Sequence, residues 1–165
     1  VITHNTGNDM REAAAHMLAE NIMSLNPKFQ IEVRNMAWKD YLVKYREFAF
    51  PIFLIGWGAD FADPHNFLYT FMKSDGVYGK YMAYKNEEVD KLCDAGIQNV
   101  DPKVRKEVYE KLQHLWYTEA IGIPIYQQVV LRAYRSDVKG FVPNAIFHGE
   151  KFIWCCLVFS FSKKI

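Results

Sequence analysis

The 165-residue sequence has little of what several functional classes require. It holds three cysteines, Cys93, Cys155 and Cys156, with no Cys-x-x-Cys or Cys/His ligand spacing, which argues against a zinc site. The adjacent Cys155 and Cys156 read either as a strained vicinal disulfide or as two thiols, so they do not fix the redox compartment. No apolar run approaches ~20 residues, so no segment has the length of a membrane-crossing helix. The first residues lack the pattern of a secretory leader. A net charge of +1 gives no footprint for nucleic acid or for an anionic membrane. No glycine-rich phosphate loop is present, and no Ser/His/Asp or Cys/His arrangement has local support. His4, His16, His114 and His148 are scattered, as surface or satisfied core histidines are.

What is present is an ordinary globular composition, 50% hydrophobic and 24% charged, with a high aromatic share of 16%. That length suits one domain. The excess of Trp, Tyr and Phe fits a binding cleft or a tightly packed core. The first residue is Val, and Val1-Ile2-Thr3 reads as a strand already under way, so the chain is expected to be a piece of something longer.

One stretch organises the rest: Phe50-Pro51-Ile52-Phe53-Leu54-Ile55-Gly56-Trp57-Gly58-Ala59-Asp60-Phe61-Ala62-Asp63-Pro64-His65-Asn66-Phe67-Leu68. Ile52 to Ile55 read as a strand covered on both faces, as in the middle of an α/β sheet. Gly-Trp-Gly is expected to end that strand and free the backbone for close approach. Asp60, Asp63 and Pro64 follow. An apolar strand ending in a glycine-flanked aromatic and acids is where an open α/β sheet places a ligand.

Around it, Asn5-Thr6-Gly7-Asn8 reads as a turn, with Asn8 capping a helix. That helix N-terminus could meet an anion, but with no glycine-rich run an ordinary strand-to-helix connection is the expected reading. Met10, Ala13, Ala14, Met17, Leu18, Asn21, Ile22 and Leu25 fall at helical spacing and predict its inner face. Phe29, Ile31 and Val33 alternate with polar residues and predict a strand near an edge. A second helix is expected from Trp38 to Phe48, then the central strand. This alternation makes parallel pairing the default. Phe67 to Met72 should form a short helix or turn, and Lys73 to Met82 a surface loop. Asn86 caps a helix with Val89, Leu92, Cys93, Gly96 and Ile97 inward, which makes Cys93 a buried structural thiol. Asp101-Pro102 starts another helix, with Val104, Val108, Leu112, Leu115 and Trp116 inward. Ile121 to Tyr126 is a strand held to an edge by Pro124, with Val129 to Leu131 continuing it. Cys155 to Phe161 is either a strand pairing at an edge or a foreign tail.

The segment Gly-Trp-x-Ala-Asp-x-x-Asp-Pro-x-x-Phe-Leu, at Gly56 to Leu68, resembles the signature of the extracytoplasmic solute-binding proteins that feed peptide ABC importers, the dipeptide- and oligopeptide-binding family. The likeness runs from Asn5-Thr6-Gly7-Asn8 to Gly140-Phe141-Val142-Pro143-Asn144. It implies one lobe of a periplasmic-binding-protein type II-like α/β fold, a mixed and mostly parallel sheet flanked by helices, over residues 1–145, with 146–165 as a tail. It also implies a non-enzymatic receptor on the periplasmic or extracellular side, with a peptide ligand, permease subunits as partners and no cofactor. The membrane would be met only indirectly. Val138 to Asn144 resembles the return of the chain towards the other lobe.

The resemblance places ligand contacts at Gly56, Trp57, Gly58 and Asp60. It implies that Asp60 pairs with the peptide's α-ammonium, a charge-assisted bond that strengthens as water leaves a closing cleft. Read from the residues alone, Asp60 could instead cap a turn. Trp57 could be cleft wall or core under the loop. Asp63-Pro64 is expected to set the loop's conformation. Some oligopeptide binders carry a basic residue before Gly-Trp to meet the ligand's carboxylate, whereas Phe53-Leu54-Ile55 offers no cation. An oligosaccharide or metal complex on the same scaffold is the alternative ligand. A metal-dependent hydrolase built on Asp60, Asp63 and His65 is the remote one, since that spacing matches no established ligand set.

Overall fold

The computed structural model describes residues 1–127, 133 and 154–159, the last six by their backbone alone. The chain starts with strand β1 (Ile2–Asn5), helix α1 (Asp9–Leu25), strand β2 (Val33–Met36), helix α2 (Trp38–Arg46) and strand β3 (Ile52–Trp57). Helices α3 (Pro64–Met72), α4 (Glu87–Gln98) and α5 (Pro102–Thr118) follow, with a 3-10 turn at Gly79–Tyr81. Strands β4 (Gly122–Gln127) and β5 (Trp154–Phe159) complete it.

The strands form one sheet in the order β2-β1-β3-β5-β4. β1 runs parallel to β2 and to β3, while β5 runs antiparallel to β3 and β4. This is the mixed α/β sheet expected, with β3 in its middle. Side chains along β3 alternate between the two faces. Phe53 and Ile55 join Tyr41, Tyr45 and Phe50 and the buried residues of α3, α4 and α5. Leu54 joins Ile2 and the alanines Ala14, Ala15 and Ala19 of α1. The two clusters sandwich the strand. Each large β3 side chain so buried contributes about 1.5–3 kcal/mol from area alone. Helices α1 and α2 thus cover opposite faces, as crossovers of one hand require when β2 and β3 flank β1 on opposite sides.

The helix caps follow the sequence. The side chains of Asn8, Asn86 and Asp101 accept from the backbone N–H groups of Arg11, Glu88 and Lys103. Pro102 occupies the first position of α5. Cys93 is fully buried, and burial, with Asp90 and Asp94 nearby, pushes its thiol up to about 12.

Several expectations shift. The inner face of α1 is Arg11, Ala14, Ala15 and Ala19, while Met10, Met17 and Leu25 are exposed. Small residues let α1 lie close on the sheet, with Leu18 and Met23 packed at the margin of the same cluster. The second strand is Val33–Met36, with Phe29 exposed before it. Ile97 and Val104 face out, and Tyr109 takes the inward place on α5. The segment from Lys73 to Met82 is a surface loop only in part, with Asp75, Val77 and Lys80 exposed. Gly76, Gly79 and Met82 are buried, and Tyr78 donates its N–H to Thr70 O at 2.8 Å. The segment Trp154–Phe159 lies inside the sheet rather than at an edge, paired from Ile52↔Phe159 to Trp57↔Trp154. A strand buried on both faces needs hydrogen-bonding neighbours on both sides, and β5 supplies one of them. Pro124 does lie in the edge strand β4, beside a register shift between Pro124 and Tyr126. The continuation Val129 to Leu131, the segment Val138 to Asn144 and the boundary after residue 145 lie outside the described residues.

Candidate functional site

The chain reverses direction across the sheet at one place. From β1 it passes through α1 to β2 on one side, then through α2 to β3 on the other. The carboxyl ends of β1 and β3 therefore border a topological switch point, where open α/β sheets leave a crevice for ligand. β3 delivers Trp57-Gly58-Ala59-Asp60 to this edge, and β1 delivers the Asn5 to Asn8 turn.

Gly56 and Trp57 remain strand residues, paired with Cys155 and Trp154 of β5. This corrects the expectation that Gly-Trp-Gly ends the strand. Gly7 (φ 75°) is the one glycine with positive φ among the described residues, so Gly56 continues the strand and Gly58 leaves it without left-handed backbone. Gly58 is buried and Asp60 is exposed.

One residue organises the loop, and the sequence gives no sign of it. Asn66, 6% exposed in the first turn of α3, accepts at Oδ1 from Trp57 Nε1 (2.6 Å) and from the backbone N–H of Asp60 (3.3 Å). Trp57 is half-buried against the larger core cluster, and its ring meets Tyr78 edge-on at 5.5 Å. The indole N–H is thus turned inward and satisfied, and the loop is pinned above it. Asp60 does not cap a turn: among the described residues its carboxylate has no hydrogen-bond or ion-pair partner.

Asp63 does the capping. Its Oδ1 accepts from His65 N at 2.8 Å, and its Oδ2 pairs with Arg105 of α5. Arg105 also donates to Gly96 O and lies 5.2 Å from the Tyr109 ring, so the loop exit is tied to α4 and α5. His65 stacks on Tyr69 at 5.3 Å, and burial holds its imidazole below the ordinary histidine range, with Asp63 acting the other way. Asp63 is committed to Arg105, and the three residues of the imagined metal set form no shared site. Among the described residues no group of three His, Cys, Asp or Glu could hold a metal ion. An apolar hollow of about 390 Å³ lies elsewhere, lined by Leu68, Phe71, Trp116 and Pro124.

On the β1 side of the crevice, Arg11 is buried at 6% exposure and donates from Nη1 to Asn5 Oδ1 at 2.5 Å. Its guanidinium lies 6.0 Å from the Trp38 ring. It also reaches Tyr78: burial pushes that phenol up, and Arg11 partly offsets the rise.

Three known proteins that resemble the chain carry the names of binding proteins. The probable D,D-dipeptide-binding periplasmic protein of Escherichia coli (strain K12) is 34% identical over 90 residues, 53% of this chain and 17% of that protein. The periplasmic oligopeptide-binding protein of Salmonella typhimurium is 26% identical over 140 residues, 85% of this chain and 25% of that protein. Heme-binding protein A of Haemophilus influenzae is 28% identical over 130 residues, 77% of this chain and 24% of that protein. The chain is a relative of the dipeptide- and oligopeptide-binding solute-binding proteins. No family model matches it. Solved structures agree on the fold of these solute-binding proteins. The open, unliganded murein tripeptide-binding protein superposes with a TM-score of 0.62 at 21% identity, over 72% of this chain and 22% of that one. A peptide-binding protein of a peptide ABC transporter gives a TM-score of 0.62 at 22% identity, over 73% and 54%. The chain spans about a quarter or less of the length of these curated solute-binding relatives, 17 to 25%.

Proposed function

We propose that the chain is one lobe of a non-catalytic solute receptor that takes up peptides in an interlobe cleft and presents them to a membrane permease of an ABC importer. The lobe includes β5, which pairs with both β3 and β4, and the receptor works on the periplasmic or extracellular side of the envelope. Its peptide-binding relatives support this reading, as does their periplasmic location. The observation that carries it is the Asp60 carboxylate, exposed and without a partner among the described residues, at the switch point on a loop pinned from beneath by Asn66. Such a carboxylate suits a peptide's α-ammonium, and the bond gains strength when a second lobe closes and excludes water. Gly56 and Trp57 have one main-chain edge engaged by β5, while the paired register with β1 stops at Phe53, which leaves their β1-side edge for an extended ligand. Trp57 forms the floor on which the ligand's first residue rests.

The test is calorimetry on the intact receptor with trialanine and N-acetyl-trialanine. The acetylated peptide lacks the ammonium and is expected to bind tenfold or more weakly, on the order of a lost charged hydrogen bond. Asp60→Asn should weaken trialanine to the same degree and leave the acetylated peptide unaffected. Equal binding of both peptides to the wild-type protein would remove Asp60 from the site. A second reading keeps the scaffold and changes the solute, because Heme-binding protein A is also similar to the chain. A thermal-shift scan of peptides, haem and oligosaccharides separates the two: stabilisation by haem or sugar alone favours the second.

A further inference from the structure

A carboxylate on a loose loop attracts an ammonium wherever that ammonium lies. It reads the ammonium's position only if the loop holds it still, and Asn66 is the residue that holds this loop. Asn66 is 6% exposed in the first turn of α3. Its backbone N–H donates to Asp63 O at 3.0 Å, and its carbonyl accepts from Thr70 Oγ1 at 2.5 Å. Asp63 caps the same turn and pairs with Arg105 of α5, so Asn66 stands on a fixed base. An amide oxygen has two acceptor sites. Asn66 Oδ1 takes one N–H from Trp57 Nε1 at 2.6 Å and another from the Asp60 backbone at 3.3 Å. A single oxygen thus joins the ring proposed as the floor to the backbone that carries the acid. Tyr78 also braces that ring, edge-on at 5.5 Å.

We propose that Asn66 is a specificity-determining positioning residue. By fixing the Trp57 ring and the Asp60 backbone at one spacing, it makes the lobe select a solute whose ammonium lies on the α-carbon of its first residue. The inference rests on the peptide-receptor reading and deepens it. An amine moved out by one methylene keeps its charge, and Coulomb attraction alone separates the two poorly, because it falls only as the inverse of distance. A hydrogen bond to a carboxylate held in place does separate them, since it depends on both distance and angle. Geometry of that kind needs a supporting shell whose own side chains are locked by packing and hydrogen bonds, and Asn66 is locked in that way.

The experiment compares trialanine with β-alanyl-dialanine on the intact receptor by calorimetry. The two peptides are isomers that differ in the place of the ammonium. The wild-type protein should prefer trialanine by roughly tenfold or more, the size of one hydrogen bond to a charged group. Asn66→Leu keeps the bulk and removes the acceptor. It should bring the isomers to within about threefold of each other, as for a charge contact without fixed geometry. Asn66→Asp retains an acceptor and should retain the preference. A merely structural Asn66 would lower the melting temperature in Asn66→Leu and leave the ratio of the two affinities as in the wild type. An unchanged ratio in the folded variant therefore overturns the proposal. Equal binding of the isomers to the wild-type protein overturns it too, and that comparison needs no variant to fold. N-acetyl-trialanine keeps the two failures apart: if it binds the wild-type protein as well as trialanine does, the Asp60 reading itself is lost, whereas a preference for trialanine over the acetylated peptide alone leaves Asp60 standing and removes only Asn66.

Discussion

Two buried polar side chains near the site carry different burdens. Asn66 is satisfied at its carbonyl oxygen; Arg11 donates to Asn5 but keeps a buried Nε with no partner among the described residues. Neither is legible in the sequence. An Asn beside Pro64 and Phe67 looks like any turn residue, and an Arg four residues after Gly7 looks like an exposed helical charge. Only the fold brings Asn66 under Trp57 and lays Arg11 against β1. Asp63-Pro64 does set the loop's conformation, as the residues suggest, but it does so by capping α3, a role the residues alone offer to Asp60. The expectation for Asn66 is specific. Asn66→Ala leaves the Trp57 N–H without its acceptor and should cost about 1–3 kcal/mol in urea unfolding. Asn66→Asp keeps an acceptor and should cost less. A double-mutant cycle of Asn66→Ala with Trp57→Phe should show coupling of roughly 0.5 kcal/mol or more, because both changes remove the same bond. Strict additivity would mean that the bond does not hold the loop.

At the scale of elements, what was local in the sequence came through and what was long-range did not. Caps, helix order and the doubly covered β3 each depend on a few neighbouring residues. β5 does not: it pairs with β3 across about a hundred residues of chain, and an apolar run alone cannot say which strand it joins. The face of α1 misled for a different reason. Its large apolar residues recur at helical spacing, yet close approach to the sheet selects alanine. The segment before α4 reads as a loop because it is rich in glycine and polar residues. Its glycines instead permit contact of backbone with backbone. A Cβ on Gly79 would sit 2.2 Å from Lys73 O, with no flexible side chain there to give way. This packing positions Tyr78, whose carbonyl accepts from Tyr45 Oη at 2.6 Å and whose ring abuts Trp57. Gly79→Ala should therefore destabilise by about 3 kcal/mol or more, beyond a simple overpacking cost, and should perturb the near-UV signal of the aromatic cluster. Gly7→Ala is the control: it meets nothing within 4 Å and bears only its positive φ, about 1–2 kcal/mol. Equal losses in the two variants would show that Gly79 is not in close contact.

For the whole molecule, the question is how much binding one lobe can hold. The sheet has its own core on both faces, so the described part needs no second lobe to bury β3. The crevice is another matter. There the Asp60 carboxylate is exposed and has no partner among the described residues. Closure about a hinge would exclude water there, and that exclusion is what turns a modest charge contact into a strong one. A lone lobe still incurs the full loss of ligand translation and rotation on binding, with only part of the contacts and with those contacts in water. The 165-residue chain should therefore bind trialanine no more tightly than about 10 μM by calorimetry. Its affinity should also fall as salt rises, because its contacts are open to screening, whereas a closed receptor should be far less sensitive. Sub-micromolar binding by the chain alone, unaffected by salt, would mean that the lobe buries its ligand without a partner lobe, and the two-lobed account would fail.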